Sequence, residues 1–197
     1  MTQFINMLIS ALYAMLIQNL IFSAAYGISE TIKIAKKPRH LFMCTASVAY
    51  FSVFAVIGSY FINKLSFIAV LPETAVYLVY AIIIGVVYLI SGYFCVHFLK
   101  ANKKFMNSLG MCAFNSLVLS VPVLSLKTGN DLFEGIGLAV GAAFAFLIAI
   151  LLINAGIRHI AQNKNIPKVF QGTPALLIYV GILSLALSCL SGESLFV

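Results

Sequence analysis

Two short stretches decide the fold: Gln18-Asn19-Leu20-Ile21-Phe22-Ser23 and Phe114-Asn115-Ser116-Leu117-Val118-Leu119-Ser120. Each sets a polar amide inside a long apolar run, and Asn115 follows Asn19 by 96 residues, about half of the 197-residue chain. Outward from them the chain stays apolar. Hydrophobic residues make up 62% of it, charged residues 9%, and the mean hydropathy is +1.08. A soluble domain carries about 25% charged residues, so this chain could not cover a water-facing surface. Disorder is excluded as well, because disordered chains are poor in apolar residues.

A helix crossing the hydrocarbon needs about 20 apolar residues. Six stretches qualify: Phe4–Tyr26, Leu41–Ile62, Ala75–Leu99, Phe105–Leu126, Gly135–Ile157 and Pro174–Leu190. Backbone polar groups in lipid need internal partners, so runs of this length read as helices rather than barrel strands. The expectation is an all-α integral membrane protein forming a single domain over residues 1–197. The N-terminus lacks the basic start and small-residue cleavage site of a removable signal peptide.

The positive charges sort by loop. Lys33, Lys36, Lys37 and Arg39 follow span one; Lys100, Lys103 and Lys104 follow span three; Arg158, Lys164 and Lys168 follow span five. Ten of the twelve basic residues therefore fall on one side, with only Lys64 and Lys127 on the other. The positive-inside rule puts the ten in the cytoplasm and both termini outside. On this reading the net charge of +7 sets orientation and implies no nucleic-acid partner.

Three spans per half mean that the halves, about 1–100 and 101–197, enter the membrane from opposite sides. That pattern is an inverted-topology repeat, in which interrupted helices meet near the midplane. Spans one and four are the expected interrupted helices. Gly27 after the first motif, and Gly110 and Pro122 around the second, are residues that break or bend helices. Asn19 and Asn115 are then a candidate midplane polar site. The plainer alternative is that each amide bonds across to a neighbouring helix, worth about 0.6–2 kcal/mol.

No Asp, Glu, Lys or Arg lies mid-span, so no proton relay is visible. No grouping of Ser, His and Asp, or of Cys and His, suits nucleophilic catalysis, and no catalytic residue is assigned. His40, His97 and His159 fall near span ends. Cys44, Cys95, Cys112 and Cys189 are scattered without a Cys-x-x-Cys pair, which argues against a zinc knuckle. Cys112, one helical turn before Ser116, is the one candidate metal ligand among them. The Gly137/Gly141 spacing permits close helix contact.

The loop Ile166-Pro167-Lys168-Val169-Phe170-Gln171-Gly172-Thr173-Pro174-Ala175 resembles a Pro-x-x-Phe-x-Gly loop of the Rnf/Nqr six-helix membrane subunits. So do Gly181-Ile182-Leu183-Ser184-Leu185-Ala186, Leu190-Ser191-Gly192, and the Asn19, Gly27 and Asn115 segments. The match is closest to the A subunit of the Rnf complex and the E subunit of the sodium-pumping NADH:quinone oxidoreductase. The resemblance implies an ion-translocating electron-transport complex in a bacterial or archaeal cytoplasmic (inner) membrane. It implies as partners further redox subunits and an inverted homologous subunit, with membrane lipid around them. It also implies a [2Fe–2S] cluster shared with that inverted partner in the region of Gly27, Ser29, Asn115 and Ser116. Ser29 and Ser116 stand where the family carries its cysteine ligands. Alternatives for such a chain are a small-solute or ion transporter subunit without a cluster, and a structural scaffold.

Overall fold

The computed structural model describes residues 2–36, 41–64, 72–97, 100, 103–163 and 166–191. The described residues form helices and connecting turns, with no strand among them. The helices are α1 (Thr2–Leu12), α2 (Leu20–Ser23), α3 (Ile28–Lys36), α4 (Leu41–Asn63), α5 (Glu73–His97), α6 (Lys103–Ala113), α7 (Ser116–Lys127), α8 (Leu132–Gln162) and α9 (Thr173–Ser191). A π-helical turn, Tyr13–Ile17, continues α1.

Four helical stretches are long and apolar enough to cross a membrane: Leu41–Asn63, Thr74–His97, Phe105–Lys127 and Leu132–Gln162. Thr2–Ile17 and Thr173–Cys189 are apolar but shorter. Of the six expected spans, four are thus helical stretches of full crossing length, and the first and last are apolar helices shorter than that. The first is short because the chain breaks at Asn19. The fifth expected span grows to 31 residues, since the helix begins at Leu132 and continues past Ile157 to Gln162. The end expected for span three, Leu99, and the Lys37–His40 segment lie outside the described residues. The outer surface is strongly apolar, with Phe42 78% and Leu89 68% exposed. These features fit a membrane-integral protein.

The core sits around α8, which touches α1, α3, α4, α7 and α9. Its buried face is built from small residues, including Gly137, Gly141, Ala142, Ala145, Ala149 and Gly156. A Cβ at Gly137 would strike the Met7 carbonyl oxygen, and one at Gly141 the Ala11 carbonyl oxygen. Two glycines four residues apart on α8 thus take two α1 carbonyls four residues apart, the close approach their spacing predicts. Asn6 Nδ2 adds a hydrogen bond to Glu134 Oε1 at 3.0 Å. Matching these pairs in order shows that α1 runs parallel to α8. Further along, Asn154 Nδ2 donates to Ala35 O at 2.6 Å, so α3 continues beside the same helix.

A second parallel pair mirrors the first. Met43 and Ser47, near the start of α4, share a cavity with Leu109 of α6, and Val56 and Ser59 share one with Pro122 and Ser125 of α7. So α4 runs parallel to α6–α7. Pro122 does not end a helix: α7 continues through it to Lys127, and the break lies earlier, at Phe114–Asn115. Gly110 is likewise inside a helix, α6.

Candidate functional site

The two sequence motifs form two helix breaks of one design. Asn19 leaves the helical region (φ −65°, ψ 94°), and its side chain accepts a hydrogen bond from Ile21 N at 3.3 Å. Asn115 does the same (φ −86°, ψ 136°), accepting from Leu117 N at 3.0 Å. Asparagine suits this position because its short amide can satisfy an N–H that the helix start leaves unpaired. In an apolar setting that pairing matters more, since an unpaired buried N–H costs about 1–3 kcal/mol. Both asparagines are buried, with 4% and 1% of their surface exposed. They are therefore caps of helix starts within their own segments.

The breaks differ in what precedes them. Before Asn19 the helix widens into the π turn, where Gln18 N reaches back to Tyr13 O at 2.9 Å. Such single π turns occur mostly inside helices at functional sites. Before Asn115, α6 ends in a simple turn, with Phe114 N on Gly110 O at 3.0 Å.

The first break continues through α2 to Gly27, which sits at φ +74°. Only glycine takes this left-handed conformation without strain. Gly27 N donates to Ser116 Oγ at 2.8 Å, across 89 residues of chain. A Cβ on Gly27 would lie 2.7 Å from Asn115 Oδ1. Thr31 then closes the start of α3, its Oγ1 donating to Gly27 O at 2.7 Å. One hydroxyl thus joins the end of the first break to the start of the helix after the second.

The residues expected at the site meet in part. Gly27, Asn115 and Ser116 come together. Ser29 lies two residues beyond Gly27 in the first turn of α3 and is exposed, as is Ser116. Asn19 caps its own helix, through Ile21 N. Beside Ser116 a cavity of about 420 Å³ is lined by Leu20, Tyr26, Tyr77, Ser120 and Lys127 among others. Asn115 Nδ2 is buried without a hydrogen-bond partner.

Cys44 and Cys112 are buried free thiols. The Pro167–Gly172 stretch, read from the sequence only as a loop, makes a defined turn. Phe170 N donates to Pro167 O at 2.9 Å and Gln171 Nε2 to Ile166 O at 2.9 Å, and Gly172 (φ +84°) leads into α9. Loop residues of these types carry a turn signal that could have been read.

A [2Fe–2S] cluster is held by Cys thiolates. At both positions that the resemblance assigns to ligands this chain offers a hydroxyl. One of them, Ser116 Oγ, is already engaged with the Gly27 backbone. Among the described residues no three or more His, Cys, Asp or Glu side chains gather as a metal site. The residues present do not fit such a cluster.

No family model matches the chain. Three curated relatives show where its sequence lies. The A subunit of the ion-translocating oxidoreductase complex of Aromatoleum aromaticum is 34% identical over 97 residues, 47% of this chain and 50% of that protein. The A subunit of the Na(+)-translocating ferredoxin:NAD(+) oxidoreductase complex of Acetobacterium woodii is 31% identical over 100 residues, 49% of this chain and 52% of that protein. In both cases the matched region spans about half the length of the relative. The A subunit of the ion-translocating oxidoreductase complex of Syntrophotalea carbinolica is 25% identical over 195 residues, 95% of this chain and 97% of that protein. The chain is thus similar, over nearly its whole length, to an A subunit of an ion-translocating oxidoreductase complex.

Proposed function

We propose that this chain is a membrane subunit of an Rnf-type ion-translocating electron-transport complex. It sits in a bacterial or archaeal cytoplasmic membrane with both termini outside, beside further redox subunits and an inverted homologous one. Its two halves are three-span inverted repeats, and it supports electron transfer across the membrane by holding that assembly together. The observation that carries this reading is the pair of Asn-capped breaks joined by Ser116 Oγ and Gly27 N, in a chain similar almost end to end to A subunits.

Two further observations support it. Exchanging the halves of an inverted repeat turns span one into span four and span five into span two. The parallel pair α1/α8 then becomes the parallel pair α6–α7/α4, and both pairs are present. Ser29 and Ser116 also lie open on the surface, where a second subunit can meet them. With hydroxyls at these positions, the chain supplies packing and backbone hydrogen bonds to the assembly instead of thiolates.

A second reading is a transporter subunit for a small neutral solute or an ion. It is favoured by the unpaired, buried Asn115 Nδ2 at a helix break. Substrate sites of inverted-repeat transporters lie at such breaks.

The deciding experiment is purification of the native assembly from membranes in mild detergent, with subunits identified by mass spectrometry and flavin and iron measured. Co-purification with flavin-carrying chains and a homologous six-span subunit supports the complex. A chain that purifies alone and catalyses solute flux in liposomes, lost in Asn115→Leu, overturns it in favour of the transporter.

A further inference from the structure

A cavity of about 580 Å³ lies in a groove between α4, α5 and α6, and shares no lining residue with the one beside Ser116. Its size falls within the roughly 300–1,000 Å³ of ordinary ligand cavities. Met43, Ser47 and Tyr50 of α4, Ile90 and Phe94 of α5, and Leu109 of α6 form much of its wall. The groove opens sideways onto the apolar outer surface, where Ile90 and Phe94 are exposed. The hydroxyls of the wall are engaged. Ser47 Oγ donates to Met43 O at 2.8 Å, and the Tyr50 and Ser91 hydroxyls hydrogen-bond to each other at 2.9 Å. A cavity whose polar groups are already paired offers water too few partners to hold it. The occupant it fits is a hydrocarbon chain.

The groove also has a charged end. Met43 is near the start of α4, Cys95 near the end of α5 and Leu109 in the first half of α6, and all three line this one cavity. The start of α4, the end of α5 and the start of α6 therefore lie at the same end of the groove. Basic residues gather there in the sequence. Lys36, Lys37 and Arg39 come just before α4, Lys100 between α5 and α6, and Lys103 and Lys104 open α6. Neither segment, 31–41 or 97–105, contains an Asp or Glu. Basic pockets between membrane helices take anionic lipid headgroups, and each Lys or Arg near the surface is worth about fivefold in binding. An apolar groove with a basic end matches one kind of molecule, an acyl chain that carries an anionic headgroup.

We propose that this groove is a binding site for one anionic glycerophospholipid. An acyl chain lies between α4, α5 and α6, against Ser47, Tyr50 and Ile90, and the phosphate headgroup lies at the basic end. The lipid touches both halves of the chain, since α4 and α5 belong to the first and α6 to the second. It thereby steadies α6, the half-helix that leads into the break at Asn115. The site needs only a membrane-integral chain and does not rest on the electron-transport reading.

The test uses the full-length chain in phosphatidylcholine liposomes containing phosphatidylglycerol with a diazirine in one acyl chain. Light fixes the probe to whatever it touches, and mass spectrometry maps the labelled peptides. Labelling should concentrate in 41–50, 90–95 and 103–109, above that of α9, whose Ile182 and Leu185 are equally open to lipid. The same probe with a choline headgroup should label the groove at least about fivefold less. Ala46 lines the cavity and is exposed, so Ala46→Phe puts a ring into the groove and should abolish labelling there. Lys100→Gln should weaken labelling by about fivefold, and Lys100→Arg should restore it. The wild-type map is read directly, so a variant that folds poorly leaves the test intact. No partner subunit is present, so a chain that belongs to a transporter instead gives the same map. Even labelling of every lipid-facing helix would overturn the proposal, and so would equal labelling of the groove by the choline probe.

Discussion

Replacing Gly137 with alanine tests how α1 is held. The added Cβ would meet the Met7 carbonyl oxygen, with Met7 C and Cα at 3.0 and 3.1 Å. These are backbone atoms, so no side chain can swing aside. Ordinary carbon contacts lie at about 3.5–4.0 Å, and α1 must retreat by roughly an ångström to restore them. Overpacking of this kind costs about 1–3 kcal/mol. Alanine returns about 0.5–1 kcal/mol through its better helix propensity. The net loss is then about 0–2.5 kcal/mol, up to about 70-fold in the folding equilibrium. Gly181→Ala is the control, since nothing lies within 4 Å of its Cβ position. It should be neutral or stabilising by about 0.5–1 kcal/mol. Gly141→Ala should resemble Gly137→Ala, because its Cβ meets the Ala11 carbonyl oxygen. The double variant should cost less than the sum, since one displacement of α1 relieves both contacts. The assay is unfolding of the purified chain in mixed micelles titrated with dodecyl sulfate. If Gly137→Ala tolerates as much dodecyl sulfate as Gly181→Ala, α1 is not seated on α8 and the account of the core is wrong.

Three further outcomes follow from the breaks. Ser116→Ala should cost about 0.5–1.5 kcal/mol and speed hydrogen exchange at the Gly27 amide; Ser29→Ala, which removes an exposed hydroxyl, should leave that amide unchanged. Gly27→Ala should destabilise the chain by at least about 1–2 kcal/mol from its φ of +74° alone, with the Asn115 amide crowding the new methyl as well, read in the same titration. Asn19→Ala should lose a cap worth about 0.5–2 kcal/mol, whereas Asn115→Ala should lose less, because a buried, unbonded amide nitrogen leaves with it; equal losses would count against the assigned orientation of the Asn115 side chain.

Much of this architecture was legible in composition and spacing. Long apolar runs dictated helices, and a polar amide repeated at half-length marked both breaks. What the amides do was visible only in part. Asparagine in a membrane helix suggested either a midplane site or a bond to a neighbour, and the structure shows a third arrangement, a cap two residues ahead. A cap needs the chain to leave the helix at that residue, which apolar periodicity does not report. The Gly137/Gly141 spacing named a contact face without naming its occupant, because a small-residue face accepts any helix that fits.

The bond from Gly27 N to Ser116 Oγ also orders events during synthesis. Gly27 leaves the ribosome 89 residues before its partner exists. The surface on α8 that seats α1 arrives later still, at Gly137 and Gly141. Until then the first segment is a short apolar helix, Thr2–Ile17, followed by a break. It lacks at that stage the α8 contacts that hold it in the finished fold. The Thr2–Ile17 segment is therefore among the last parts to reach its final seat, although it is made well before α8. Its position is a delayed decision, settled when α8 is in place.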